Sequence, residues 1–213
     1  MIPRLARLAS FVLAAATLFS LPAEAAQCGN NAGGFETWKQ QFAGEAQARG
    51  IGQQGLRALA GTQYATKTIA ADRGQKSFKY SLQKFMQVRG SSAIISQGRR
   101  HKAADAKFFA SIERKYGVPA GPLLAIHGME TGFGRFMGNA NVMSAIATLA
   151  YDCRRSAFFT EHLLAALQLV DYGIISSSTK GAMHGEVGHT QFLPGSVLKY
   201  GVDGDGDRRL DLA

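Results

Sequence analysis

The chain has 213 residues, 46% hydrophobic and 18% charged, which suits one domain with at most a small appendage and excludes global disorder. Its formal charge of +9 admits an acidic polymer, an anionic lipid surface or a nucleic acid as partner. No Lys/Arg run exceeds two residues and no basic stripe is interleaved with aromatics, so a nucleic-acid partner finds no support.

Residues 1–25 read as an export signal. Arg4 and Arg7 form a cationic start, residues 8–21 form an apolar run short for a bilayer span, and Ala23-Glu24-Ala25 offers a cleavage site. Cleavage after Ala25 leaves 26–213 as the mature domain. It removes two positive charges and one negative, so the charge falls from +9 to +8. A retained anchor is the alternative. Cys28 raises a lipoprotein reading, but Gln27 is larger than the residue such a site wants. No other stretch is apolar enough to cross a membrane. The two cysteines, Cys28 and Cys153, both follow the cleavage site, and an oxidising compartment lets them pair; two separate thiols are the other reading.

Residues 26–34 form an irregular lead-in. Phe35, Trp38 and Phe42 then share one face of a helix ending near Gly50. Residues 69–75 are short and polar and read as extended. Phe78, Leu82 and Phe85 recur at helical spacing up to Gly90, and residues 103–116 predict a helix with Phe109, Ile112 and Tyr116 inward. Pro122 suits the first turn of another helix, which runs past Glu130 and stops at Gly132. Residues 141–151 and 158–172 predict two more, the second burying Phe159, Leu163, Leu167 and Val170. Residues 195–200 form a last short helix. No alternating run is long enough for a large sheet, so the fold class is mainly α.

The carboxylate of greatest interest is Glu130, in L-L-A-I-H-G-M-E-T-G-F-G at 123–134. It shares a helix face with Leu123, Ile126 and His127, which predicts burial on the apolar side. A carboxyl in the last turn, near unpaired carbonyls and out of water, is favoured in its neutral form, as a general acid requires. A carboxylate tied to backbone N–H groups is the plain structural alternative. A second cluster, G-E-V-G-H-T-Q-F-L-P at 185–194, gathers Glu186, His189 and Gln191 in a Gly-rich loop suited to sugar hydroxyls and acetamides. An ordinary Gly-rich turn before the last helix is the plain alternative.

Together, G-M-E-T-G-F-G-R-F-M-G-N (128–139), A-T-L-A-Y-D-C-R-R-S (147–156) and G-E-V-G-H-T-Q-F-L-P (185–194) resemble the lytic murein transglycosylase B family. F-E-T-W-K (35–39) and A-D-R-G-Q-K-S-F (71–78) extend the likeness over nearly the whole mature chain. The resemblance implies a lysozyme-like helical fold with Glu130 as single acid/base at a helix end facing a cleft. In that chemistry the acid protonates the bond between N-acetylmuramic acid and N-acetylglucosamine. It then takes the proton of the muramoyl C6 hydroxyl, which closes a 1,6-anhydro ring. Gln191 is implied to lie in the saccharide groove, with Glu186 and Tyr200 as weaker carry-overs. His127 stands where the family usually has Trp, and His189 where it often has Gln; both are expected in the groove wall.

Asp203, Asp205 and Asp207 are spaced like positions 1, 3 and 5 of a calcium loop found here in some members of the family. Arg208 replaces the glycine of position 6, and position 12 falls beyond Ala213. No cofactor is required by the chemistry, and calcium binding is expected to be weak at most. The family normally continues through further helices, so the C-terminal part is expected to be incomplete. The implied setting is the periplasm, with a monomer, peptidoglycan glycan strands as partner, no nucleic acid and no membrane span in the mature protein. Two rivals stay open. One is a hydrolytic muramidase, which needs a second carboxylate about 5–9.5 Å away, with Glu186 as candidate. The other is a cell-wall binding protein without turnover.

Overall fold

The computed structural model describes residues 26–74 and 79–212. The export signal of residues 1–25, the Phe78 position and Gln75 lie outside the described residues. The architecture is helical, with strand confined among the described residues to one pair, β1 (Ala140–Asn141) antiparallel to β2 (Lys180–Gly181).

The centre is α8 (Val142–Tyr151), which buries every residue except Ser144, the pattern of a helix enclosed on all sides. Asn141 caps it by accepting the Ser144 N–H at 2.8 Å. Against α8 lies α9 (Ser156–Asp171), whose Phe159, Leu163, Leu167 and Val170 are buried along the predicted stripe. On the other side, α1 (Phe35–Ala48) contributes Phe35, Trp38 and Phe42, with Phe35–Trp38 and Trp38–Phe42 stacked at 5.6 and 5.1 Å and Tyr151 closing the cluster. Each such aromatic removed to Ala costs about 3–5 kcal/mol. The Cys28 and Cys153 sulfurs are bonded, with Cα atoms 5.0 Å apart, and Gly29 bridges to the backbone beside Cys153. The lead-in is thereby fastened to the end of α8.

Two helices had no expectation from sequence. One is α2 (Gln53–Ala60), whose first turn is capped by Asp171, the last residue of α9, accepting from Gly52 and Gly55 at 2.6 and 2.8 Å. The other is α5 (Ser91–Ala104), which breaks at Asp105 before α6 (Ala106–Tyr116), so the helix predicted over 103–116 is two elements. The extended reading of 69–75 is also corrected. Residues Thr66–Arg73 form a helix, α3, because Thr68 and Asp72 are drawn into the interior against α8.

A second, thinner layer consists of α4 (Leu82–Val88), α5, α6 and α7 (Ala120–Thr131). Its core is slight. Tyr116, expected inward, is 49% exposed, Leu82 is 77% exposed, and Phe109 and Ile112 are only half-buried. The predicted apolar faces are real, but this layer opens them to a groove rather than sealing them. The last helix, α10 (Pro194–Tyr200), packs on α9.

Candidate active site

The site is built where α7 stops. Gly132 adopts φ +58°, the left-handed turn that ends a helix most cheaply at glycine, and its N–H and that of Phe133 donate to the Gly128 and His127 carbonyls. Arg89 reaches in from the end of α4 and donates to the Met129 carbonyl. Thr131 is fully buried, and its hydroxyl donates to the His189 carbonyl at 2.7 Å while accepting the Gly134 N–H at 3.0 Å. That one hydroxyl joins the end of α7, the turn after it and the 185–194 loop. Sequence reasoning missed it, although a hydroxyl directly after a carboxylate in a last helical turn is a recognisable backbone-bonding position.

Glu130 therefore stands at a rigidly held helix end. Its predicted burial is corrected, because the side chain is exposed. The buried stripe of α7 is Ala120, Leu124, Gly128 and Thr131, whereas Leu123, Ile126, His127 and Glu130 share the neighbouring face. Leu123, Ile126 and His127 of that face wall an apolar groove of about 530 Å³, together with Phe108, Phe109 and Ile112 of α6 and with His189 and Phe192; Glu130, further along the same face, is not part of its lining. Glu130 makes no ion pair with any described residue.

His127 and His189 stack at 5.1 Å with their planes 19° apart, and His101 lies across Phe133 beside them. The His127 Nε2 is buried without a hydrogen-bond partner among the described residues. Burial, then the neighbouring His189 and His101, push His127 below the ordinary imidazole range. Gly134, at φ +83°, must lack a side chain here, because a Cβ would come within 2.9 Å of the His189 ring. Gln191 lies in the same loop at φ +53°, an uncommon conformation for a residue other than glycine. Its amide donates to the Gly188 and Met137 carbonyls at 2.8 and 3.4 Å, tying the loop to the turn after α7.

The other sequence candidates fall elsewhere. Glu186 accepts the His184 N–H and faces its imidazole at 3.7 Å; no hydrogen bond or ion pair joins it to Glu130. His184 in turn faces the buried Asp72 carboxylate, which accepts from Arg154 and Arg155. Burial alone would raise Asp72, but the hydrogen bonds from the two guanidinium groups outweigh it and hold the carboxyl below its usual range. This network, unpredicted from sequence, braces α3 against the start of α9. Tyr200 is 68% exposed and borders a cavity whose walls include Phe108 and Ile112, so it continues the apolar groove at its far end.

Asp203, Asp205 and Asp207 place carboxylate oxygens within 4.8 Å of one another. The loop is already wound, with Asp203 accepting the Gly206 and Arg208 N–H groups at 2.6 and 2.7 Å. These backbone donors hold the Asp203 carboxyl below its ordinary range. Arg208 occupies the positive-φ position at +70°, where a glycine would rest more easily. Hard carboxylate oxygens suit a calcium ion, although the set here comprises three acidic side chains only.

Residues 34–213 match the family model described as the transglycosylase SLT domain. Over 99 residues, 46% of this chain and 27% of the relative, the sequence is 36% identical to the membrane-bound lytic murein transglycosylase B of Escherichia coli K12. The crystal structure of SltB3 from Pseudomonas aeruginosa in complex with NAG-anhNAM-pentapeptide is similar at a TM-score of 0.76 and 37% identity, covering 84% of this chain and 48% of that one. Escherichia coli Slt35 in complex with calcium shares the fold at a TM-score of 0.70 and 24% identity, over 88% of this chain and 61% of that one. The chain thus spans about half the length of SltB3 and about a quarter of the curated relative. No helix among the described residues is long and apolar enough to cross a membrane. With the helix-end carboxylate and its partner loop inside one continuous match from residue 34 to 213, the chain belongs to the transglycosylase SLT domain family.

Proposed function

We propose that this protein is a peptidoglycan lytic transglycosylase in which Glu130 is the only acid/base. The observation that carries the reading is the placement of Glu130, which pairs with no described charged residue, on a helix end pinned by Thr131 to the Gln191 loop. Glu130 donates its proton to the oxygen linking N-acetylmuramic acid to N-acetylglucosamine as the muramoyl C1–O bond breaks. The resulting carboxylate takes the proton of the muramoyl C6 hydroxyl, whose oxygen bonds to C1. Atoms balance without water, so no second carboxylate is needed. Glu186, the candidate for that second role, is engaged with His184 instead.

Gln191 is tied through its side-chain nitrogen to the turn after Glu130 and offers its side-chain oxygen to a sugar hydroxyl or acetamide N–H. His127, His189 and Tyr200 border the groove along which a glycan would lie. Glu186 acts on the same loop indirectly, by fixing His184. The SltB3 complex with a saccharide–peptide fragment supports murein as the substrate class. Residues 1–25 would direct export to the periplasm, and a monomer is sufficient because all these residues come from one chain. The 203–211 loop binds calcium weakly in this reading, as a structural aid and not as a reactant.

Glu130→Gln tests the assignment. The amide is nearly isosteric but cannot give or take the proton, so cleavage of purified sacculi falls at least ~10³-fold if acid and base roles are both lost. Sedimentation with sacculi and the thermal midpoint stay as in the parent. Near-parent cleavage would remove Glu130 from the mechanism.

A further inference from the structure

The positive charge of the protein is concentrated in its thin helical layer. Residues 79–116, which include α4, α5 and α6, carry nine basic and two acidic side chains, a net +7 of the +8 on residues 26–213. No ion pair among the described residues neutralises any of them. The same helices leave large apolar side chains in water, for Leu82 and Val88 of α4 and Ile95 of α5 are each more than half exposed. Basic and apolar side chains standing together without partners mark a surface that meets another body.

The two features converge at an apolar cleft of about 200 Å³ between α5 and α7. Ile94, Ile95, Leu124 and Ala125 line it together with Arg99 and Lys102. Arg99 and Lys102 follow Ile95 at i+4 and i+7, so all three share one face of α5. Neither cationic side chain bonds to a described residue, whereas Arg100 is held by Ser96 and Arg89 by the Met129 carbonyl. A soluble polyanion would meet the charge and leave the isoleucines in water; an apolar segment would do the reverse. An anionic phospholipid bilayer meets both, with headgroup phosphates for the cations and the acyl boundary for the isoleucines. The aliphatic stems of Arg99 and Lys102 can lie along that boundary with their charged ends among the headgroups. The orientation agrees. Gly121 of α7 also lines the cleft, and Glu130 lies about two and a half turns beyond it at ~3.6 residues per turn, on the opposite side of the helix.

We propose that the α5–α7 cleft and the basic helices around it dock on an anionic phospholipid bilayer, leaving Glu130 turned away from the lipid. The proposal is independent of the chemistry assigned to Glu130, and no step of its test uses cleavage. The full chain is floated with vesicles of phosphatidylglycerol and phosphatidylcholine, and with vesicles of phosphatidylcholine alone. Binding is expected to the first only, weakening as salt is raised. Arg99→Glu with Lys102→Glu removes two cations from the face; at about fivefold for each, the partition coefficient falls at least ~25-fold. Arg57→Glu with Lys180→Glu makes the same change in net charge at exposed positions elsewhere and should bind as the parent does. Equal losses in the two double variants would reduce the effect to net charge and overturn the face. Ile95→Ser should weaken vesicle binding while leaving retention on inorganic polyphosphate unchanged. Vesicle binding indifferent to Ile95→Ser overturns the proposal in favour of a soluble polyanion. A parent dimer that Ile95→Ser dissociates overturns it in favour of a second copy of the chain. Because the native cysteines are bonded to each other, a polarity-sensitive fluorophore can be attached through Ile95→Cys alone. Its emission should shift to the blue on phosphatidylglycerol vesicles, which reads the contact even if the double variant does not fold. Absence of both that shift and flotation overturns the docking surface.

Discussion

At the scale of single residues, the site depends on side chains that never need to touch substrate. Thr131 is fully buried and satisfies both the His189 carbonyl and the Gly134 N–H. Thr131→Val keeps the shape but leaves both groups unpaired in a dry place, a destabilisation of about 1–3 kcal/mol. Cleavage should fall further than unfolding accounts for, because the loop bearing Gln191 loses its register with Glu130; equal losses in both would assign Thr131 to stability alone. His127 makes a second prediction, read from pH. Its imidazole is held below the ordinary range by burial and by His189 and His101, so the unfolded chain takes up the proton first as pH falls. His162, lowered by its own burial, adds to the same trend. Stability is full above the ordinary imidazole value of about 6.5 and declines as pH drops below it toward the depressed folded value. His127→Phe should flatten that decline in thermal midpoint between about pH 7 and 5. An unchanged slope would show that His127 is not the proton acceptor.

At the scale of elements, legibility followed the range of the forces involved. Phe159, Leu163, Leu167 and Val170 declared α9 because a period of 3.6 is a local signal, and Asn141 and Gly132 marked helix ends for the same reason. The helix α2 has an apolar face of its own in Ala58 and Leu59, but it is short, and the cap of its first turn is Asp171 from far along the chain, which no local reading supplies. Thr66–Arg73 read as extended because its burial is dictated by α8 and by guanidinium groups at 154 and 155. Glu130 shows the limit most clearly. Sequence placed it on the apolar face of α7, which is correct, but whether that face is covered is a property of the neighbours, and here they leave a groove.

The 203–211 loop belongs to the same scale. Its winding around Asp203 and the left-handed Arg208 are the backbone features a calcium loop needs, while the β-carbon at 208 opposes them. Calorimetric titration of metal-stripped protein should give an affinity of ~10⁻⁴ to 10⁻³ M, and Arg208→Gly should tighten it by relieving the positive φ. Micromolar binding by the parent chain would contradict this account of the loop.

At the scale of the whole molecule, the two layers divide the labour. The enclosed α8–α9–α1 core, clasped by the Cys28–Cys153 bond, supplies the rigidity. The thin α4–α7 layer supplies an open wall with Glu130 at its edge, and the 185–194 loop crosses between the two. A static core with an accessible carboxylate suits chemistry on a long polymer, which enters from the side rather than through a closed pocket. The most direct measurement is mass spectrometry of sacculi digested by this protein in water enriched in heavy oxygen. The account predicts muramoyl ends lighter by one water than reducing ends and free of the heavy label, because the C6 hydroxyl and not water attacks C1. Reducing ends carrying the label would identify a hydrolase and contradict the single-carboxylate mechanism at Glu130.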